Sequence, residues 1–114
     1  MDYFHYLSKT ALNADLNIYA HSYEGRELVY LAIASRENSL RLESIRSDMD
    51  DLAHLKVENE KVEALIKALP AVAWMGYGIH GDDLSSVDAS VFLAYHLLAS
   101  QDRRTKRILD NTVI

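Results

Sequence analysis

Directly after its only proline, Pro70, the chain runs "AVAWMGYGI", a stretch without a single charged residue. A nearly continuous apolar run of this length, with glycines at 76 and 78, suits a strand covered on both faces rather than one arm of a solvated hairpin. Such a strand needs helices packed over it, so this segment predicts a central strand and limits the chain to an α/β plan.

The flanking segments supply the helices. Phe4, Leu7 and Ala11 recur at helical spacing, which predicts a short amphipathic helix from Asp2 to Leu12. From Asp15 the period becomes two: Leu16, Ile18 and Ala20 alternate with Asn17, Tyr19 and His21, and "ELVYLAIAS" follows after "SYEG". That is a hairpin, with Gly25 supplying the turn. "ENSLRLESIRSDMDDLAHL" aligns Leu42, Ile45, Met49 and Leu52 on one helical stripe. A second helix from about Glu58 to Ala68 carries Val62, Leu65 and Ile66 toward Leu69, and Pro70 stops it. Beyond the apolar run, Ser85 or Ser86 can cap a helix whose buried stripe is Val87, Val91, Ala94, Tyr95 and Leu98. "DRRTKRILDN" gives a last short helix, and "TVI" starts another apolar strand. No repeat or linker divides the chain, so 1–114 reads as one α/β domain, open at its C-terminal edge.

Charge and composition narrow the function. A formal net charge of −5 gives no electrostatic case for a nucleic-acid backbone or an anionic membrane as partner. With no cysteine, any metal must be held by His, Asp or Glu. The N-terminus lacks a basic region followed by an apolar one, and nowhere do 18 apolar residues run together, so the sequence names no compartment.

The chemistry-bearing stretch is "GIHGDD", at the end of the expected strand. In open α/β sheets ligands gather where strands end and helices begin. His80 and a carboxylate two residues on can aim a nitrogen and an oxygen at one point, a donor pair that suits zinc, with Gly81 letting the backbone bend between them. Zinc enzymes, however, usually offer three protein ligands and leave a fourth position to water. On spacing alone a polar strand-to-helix turn is the favoured reading.

Company changes that balance. "HSYEGREL", then "ASRENSLRLESIRSDMDDLA", then "GIHGDDLSSVDASVFLAYHLLA" follow one another in an order and spacing that resembles the M14 zinc carboxypeptidases, especially bacterial members. In that family an S-x-E-G-R hairpin precedes a strand ending in His-Gly-x-Glu. The resemblance covers essentially the whole chain and implies the N-terminal part of a three-layer α/β/α sandwich with a mixed sheet. It implies zinc as cofactor, a peptide or peptidoglycan-type substrate, and hydrolysis of C-terminal peptide or amide bonds. His80 matches the first zinc ligand, and Asp83 stands where the family has a ligating glutamate. Aspartate keeps the carboxylate but shortens its arm by one methylene, and metal sites tolerate little distance error. Arg26 matches a family residue of expected structural role. The third ligand, the general base and the groups that hold the substrate carboxylate are implied beyond Ile114, so no catalytic residue is expected in this chain, which by itself is expected to be inactive. A rival is a non-catalytic binding module on the same fold, favoured by Asp83. Family members are often secreted or periplasmic. A sheet left open at its edge is expected to self-associate.

The remaining polar residues have ordinary readings. His96 is expected to be a hydrogen-bonded structural histidine, and His5, His21 and His54 surface or capping residues. Asp82 can orient His80, but an exposed turn aspartate is the commoner role. Arg103, Arg104, Lys106 and Arg107, with Asp102 and Asp110 nearby, read as a solvated helix face.

Overall fold

The computed structural model describes residues 2–114. Its elements run α1 (Asp2–Thr10), β1 (Ala14–His21), β2 (Glu27–Ile33), α2 (Arg36–Ser39), α3 (Leu42–Ala53), α4 (Asn59–Ala68), β3 (Ala71–Val72), α5 (Leu84–Ala99), α6 (Arg103–Asn111) and β4 (Thr112–Val113). The α/β reading holds. β1 and β2 form the expected antiparallel hairpin, with Gly25 at φ 77° in its turn and a bulge at Tyr19 between Ile18 and Ala20. β3 and β4 pair in parallel. The two ladders meet where Ile33 and Ile114 exchange backbone hydrogen bonds, each N–H donating to the other's carbonyl at 2.8 and 2.9 Å. The end of β2 therefore lies beside the residue that follows β4, so the two small sheets, β1-β2 antiparallel and β3-β4 parallel, abut in the order β1, β2, β4, β3.

Apolar side chains of β2 alternate in direction and build two cores. Ile33 and Leu31 pack with Leu7 of α1, Ala94 and Leu97 of α5, and Leu109 of α6. Ala32 and Ala34 pack instead with Val113 and with Ile45, Leu42 and Met49 of α3. Helices thus lie on both faces of β2, but the layers are unequal: α4 buries no residue.

Three expectations need correction. "AVAWMGYGI" is not a central strand: only Ala71 and Val72 are extended in a ladder, and Val72, Trp74, Met75 and Ile79 are exposed. A strand exists only as far as a neighbour pairs with it, and β4 accompanies β3 for two residues; Gly78 then turns the chain at φ 66°. The single helix expected over residues 37–55 is two, because Arg41 (φ −122°, ψ 19°) leaves helical geometry between α2 and α3. On α5 the buried residues are Ala94 and Leu97, whereas Val87 and Tyr95 of the expected stripe are exposed. The helix is apolar on nearly all sides, so periodicity could not say which side is covered.

Asn38 is a polar joint that the sequence did not advertise. It is buried, its Nδ2 donates to the carbonyls of Leu109 (3.3 Å) and Asp110 (3.0 Å), and its Oδ1 accepts from Arg41 Nε (3.1 Å) and Nη2 (2.9 Å). One side chain thereby ties α2 to the end of α6, next to β4. No helix is long and apolar enough to cross a membrane among the described residues.

Candidate metal centre

His80 and Asp83 lie on the turn that leads into α5. The Asp83 N–H donates to the His80 carbonyl at 3.1 Å, which closes the turn and fixes how far apart the two residues can be. Asp83 is the N-cap residue of α5, yet its side chain accepts no capping hydrogen bond. Both residues are exposed, and among the described residues neither side chain is engaged in a hydrogen bond or ion pair.

Ser86 secures the turn from inside the helix. Its Oγ donates to the Asp83 carbonyl at 3.0 Å and accepts the Gly78 N–H at 3.2 Å, so the loop before the turn and the first turn of α5 hang on one hydroxyl. The expected serine cap is therefore replaced: Asp83 occupies the cap position, and Ser86 braces it. Gly78, not Gly81, is the glycine this geometry requires. A Cβ at Gly78 would stand 3.3 Å from Val87 Cγ2 with the backbone already at positive φ, whereas the space around Gly81 is open.

The other sequence candidates lie elsewhere. Asp82 is exposed, and its carbonyl accepts the Leu84 N–H at 3.1 Å. His96 Nε2 lies 3.4 Å from Thr105 Oγ1, a contact between α5 and α6. His5 faces Glu27 at 3.2 Å, and His54 faces Asp50 at 3.0 Å. Each is a lone histidine with one carboxylate. Arg26 pairs with Glu24 at 2.6 Å within the hairpin turn, both side chains well exposed, so it stiffens the turn without reaching the body of the fold. Arg104 and Arg107 line a shallow surface depression with Ile108 and Asn111.

The model of the zinc carboxypeptidase family, the M14 peptidases, matches residues 8–114. The chain belongs to this family. No curated protein and no solved structure gives a match. Family membership brings zinc dependence into view, and the donor set present meets it only in part: among the described residues no three His, Cys, Asp or Glu side chains come together in a group that could hold a metal ion. His80 and Asp83 offer one nitrogen and one carboxylate on a single turn, two donors of types that zinc accepts.

Proposed function

We propose that the chain carries two of the zinc ligands, His80 and Asp83, of a carboxypeptidase that hydrolyses C-terminal peptide or amide bonds. The observation that carries this reading is the turn closed by Asp83 N–H and His80 C=O, which leaves both side chains exposed and uncommitted in a member of a zinc carboxypeptidase family. Uncommitted donor atoms on a braced turn are open to a metal ion, and a group that accepted the other His80 ring N–H would fix the orientation of the imidazole.

His80 would give one ring nitrogen as its neutral imidazole, and Asp83 one carboxylate oxygen. Zinc held by a full ligand set polarises a scissile carbonyl and makes a bound water acidic. This chain's part is to hold the imidazole and the carboxylate at fixed spacing, through Ser86 and the backbone of the turn. A general base and a third donor are still needed for hydrolysis, so the 114-residue chain alone is inactive on this reading.

A second reading is a peptidase fold that keeps a groove for a partner and has lost the chemistry. The shorter Asp83 arm is what favours it. Calorimetric zinc titration of the chain and of its His80→Ala, Asp83→Ala and Asp83→Glu variants separates the two. The ligand reading expects weak one-to-one binding that either alanine abolishes and that Asp83→Glu strengthens. Tight binding that survives His80→Ala overturns it, and zinc binding by neither the chain nor Asp83→Glu favours the binding module.

A further inference from the structure

The turn between His80 and Asp83 has two legs, and one side chain touches both. On the Asp83 leg, Ser86 Oγ donates to the Asp83 carbonyl at 3.0 Å. On the His80 leg, the same atom accepts the Gly78 N–H at 3.2 Å, two residues before His80. A hydroxyl has one proton to give and lone pairs to accept with, so both bonds are made at once.

The first bond alone would be ordinary. Ser8, Ser44 and Ser90 also donate to the carbonyl three residues back, at 3.1, 3.1 and 2.6 Å, a local habit of serine in helices. Ser86 differs in its second bond, which reaches a residue eight positions away. The ladder to β4 includes Val72, and the Ala73 N–H donates to the Val113 carbonyl at 2.8 Å. From there to His80 the chain runs without helix or strand, and the Gly78 N–H ties it to α5 along the way. The approach at that point is close, since a Cβ on Gly78 would stand 3.3 Å from Val87 Cγ2.

We propose that Ser86 is a positioning residue for zinc: without touching the metal, it sets the affinity of the His80–Asp83 pair by holding both legs of the turn at one separation. This role rests on the reading of His80 and Asp83 as zinc ligands. Donors that range over many separations must be ordered when the metal binds, and the lost entropy opposes binding. The short arm of Asp83 sharpens the dependence. With one side-chain torsion fewer than glutamate, it has less freedom to make up an error in the backbone.

Zinc titration followed by the His80 imidazole resonances tests this on the parent chain and on Ser86→Ala, Ser86→Thr and Ser85→Ala. Ser86→Ala is expected to weaken binding roughly 10-fold or more, the usual loss when a group that supports metal ligands is removed. Ser86→Thr keeps a hydroxyl that can bond the carbonyl three residues back and is expected to restore most of the affinity. Ser85→Ala removes the neighbouring hydroxyl and is expected to match the parent. Amide exchange of the metal-free chains gives a readout that needs no zinc. In Ser86→Ala the Gly78 and Asp83 amides should exchange roughly fivefold faster, as loss of one ordinary hydrogen bond implies, while those of α3 and the β1–β2 hairpin stay at the parent rate.

Equal zinc affinity in the parent chain and Ser86→Ala overturns the positioning role and leaves the ligand reading standing. Weaker binding that threonine does not restore, or that comes with faster exchange throughout the chain, also overturns it. A parent chain whose His80 resonances do not respond to zinc fails the ligand reading itself, and the role of Ser86 falls with it.

Discussion

Asn38 Nδ2 donates to the Asp110 carbonyl at 3.0 Å, joining a short helix near the start of the chain to the helix that feeds its last strand. The same side chain bonds the Leu109 carbonyl and receives the Arg41 guanidinium, so its amide is satisfied on both ends. Asn38→Ala would remove the donor to the Asp110 carbonyl and the acceptor for Arg41, while the Leu109 carbonyl keeps the Ser35 N–H at 3.0 Å, at about 1–2 kcal/mol of unfolding free energy. Asn38→Asp should do at least as badly, because a carboxylate cannot donate to two carbonyl oxygens. Urea unfolding followed by circular dichroism measures both.

Leu55 holds φ 53°, the left-handed region, just past the end of α3. The Lys56 N–H donates to the Asp51 carbonyl at 2.9 Å and the Leu55 N–H to the Leu52 carbonyl at 3.3 Å, the paired bonds of a Schellman ending in which glycine is the usual residue. Leu55 is exposed and contributes little packing to offset its backbone strain. Leu55→Gly is expected to raise the unfolding free energy by about 0.5–1 kcal/mol, whereas Leu55→Val should lower it. Thermal unfolding of the two variants tests this.

Asp102 caps α6. Its carboxylate accepts the Thr105 N–H at 2.9 Å, the Thr105 hydroxyl at 2.7 Å and the Ser100 hydroxyl. These bonds, the Ser100 hydroxyl first, hold its pKa well below the usual carboxylate range. A depressed folded pKa contributes stability that is fully present above the unfolded value near 3.9 and is lost as pH falls through the folded one. Asp102→Ala should therefore melt below the parent chain at neutral pH, with the gap narrowing in strong acid. A Tm series from pH 7 down to pH 2 shows whether the curves converge.

The parts of the fold that the sequence made legible are those whose order is local. The hairpin was readable because two-residue alternation and Gly25 act over a few residues, and α3 because its apolar stripe is narrow. β3 was not, since its length depends on how far β4 accompanies it, a fact that lies forty residues downstream in "TVI". Asn38 stayed hidden because a polar residue in the polar stretch "SRENS" looks solvated, and its partners are the Leu109 and Asp110 backbone. At the candidate site the pattern "GIHGDD" located the turn correctly but misassigned its supports: Ser86 braces the turn rather than capping the helix, and the essential glycine is Gly78.

The role of the His80–Asp83 turn is tested most directly by nuclear magnetic resonance of the histidine side chains during zinc titration. The expected result is a selective shift of the His80 imidazole and the Asp83 carboxyl carbon, with His5, His21, His54 and His96 unmoved at the same zinc concentration and the effect reversed by a chelator. Zinc that shifts His54 or His96 first, while His80 stays unchanged, contradicts it.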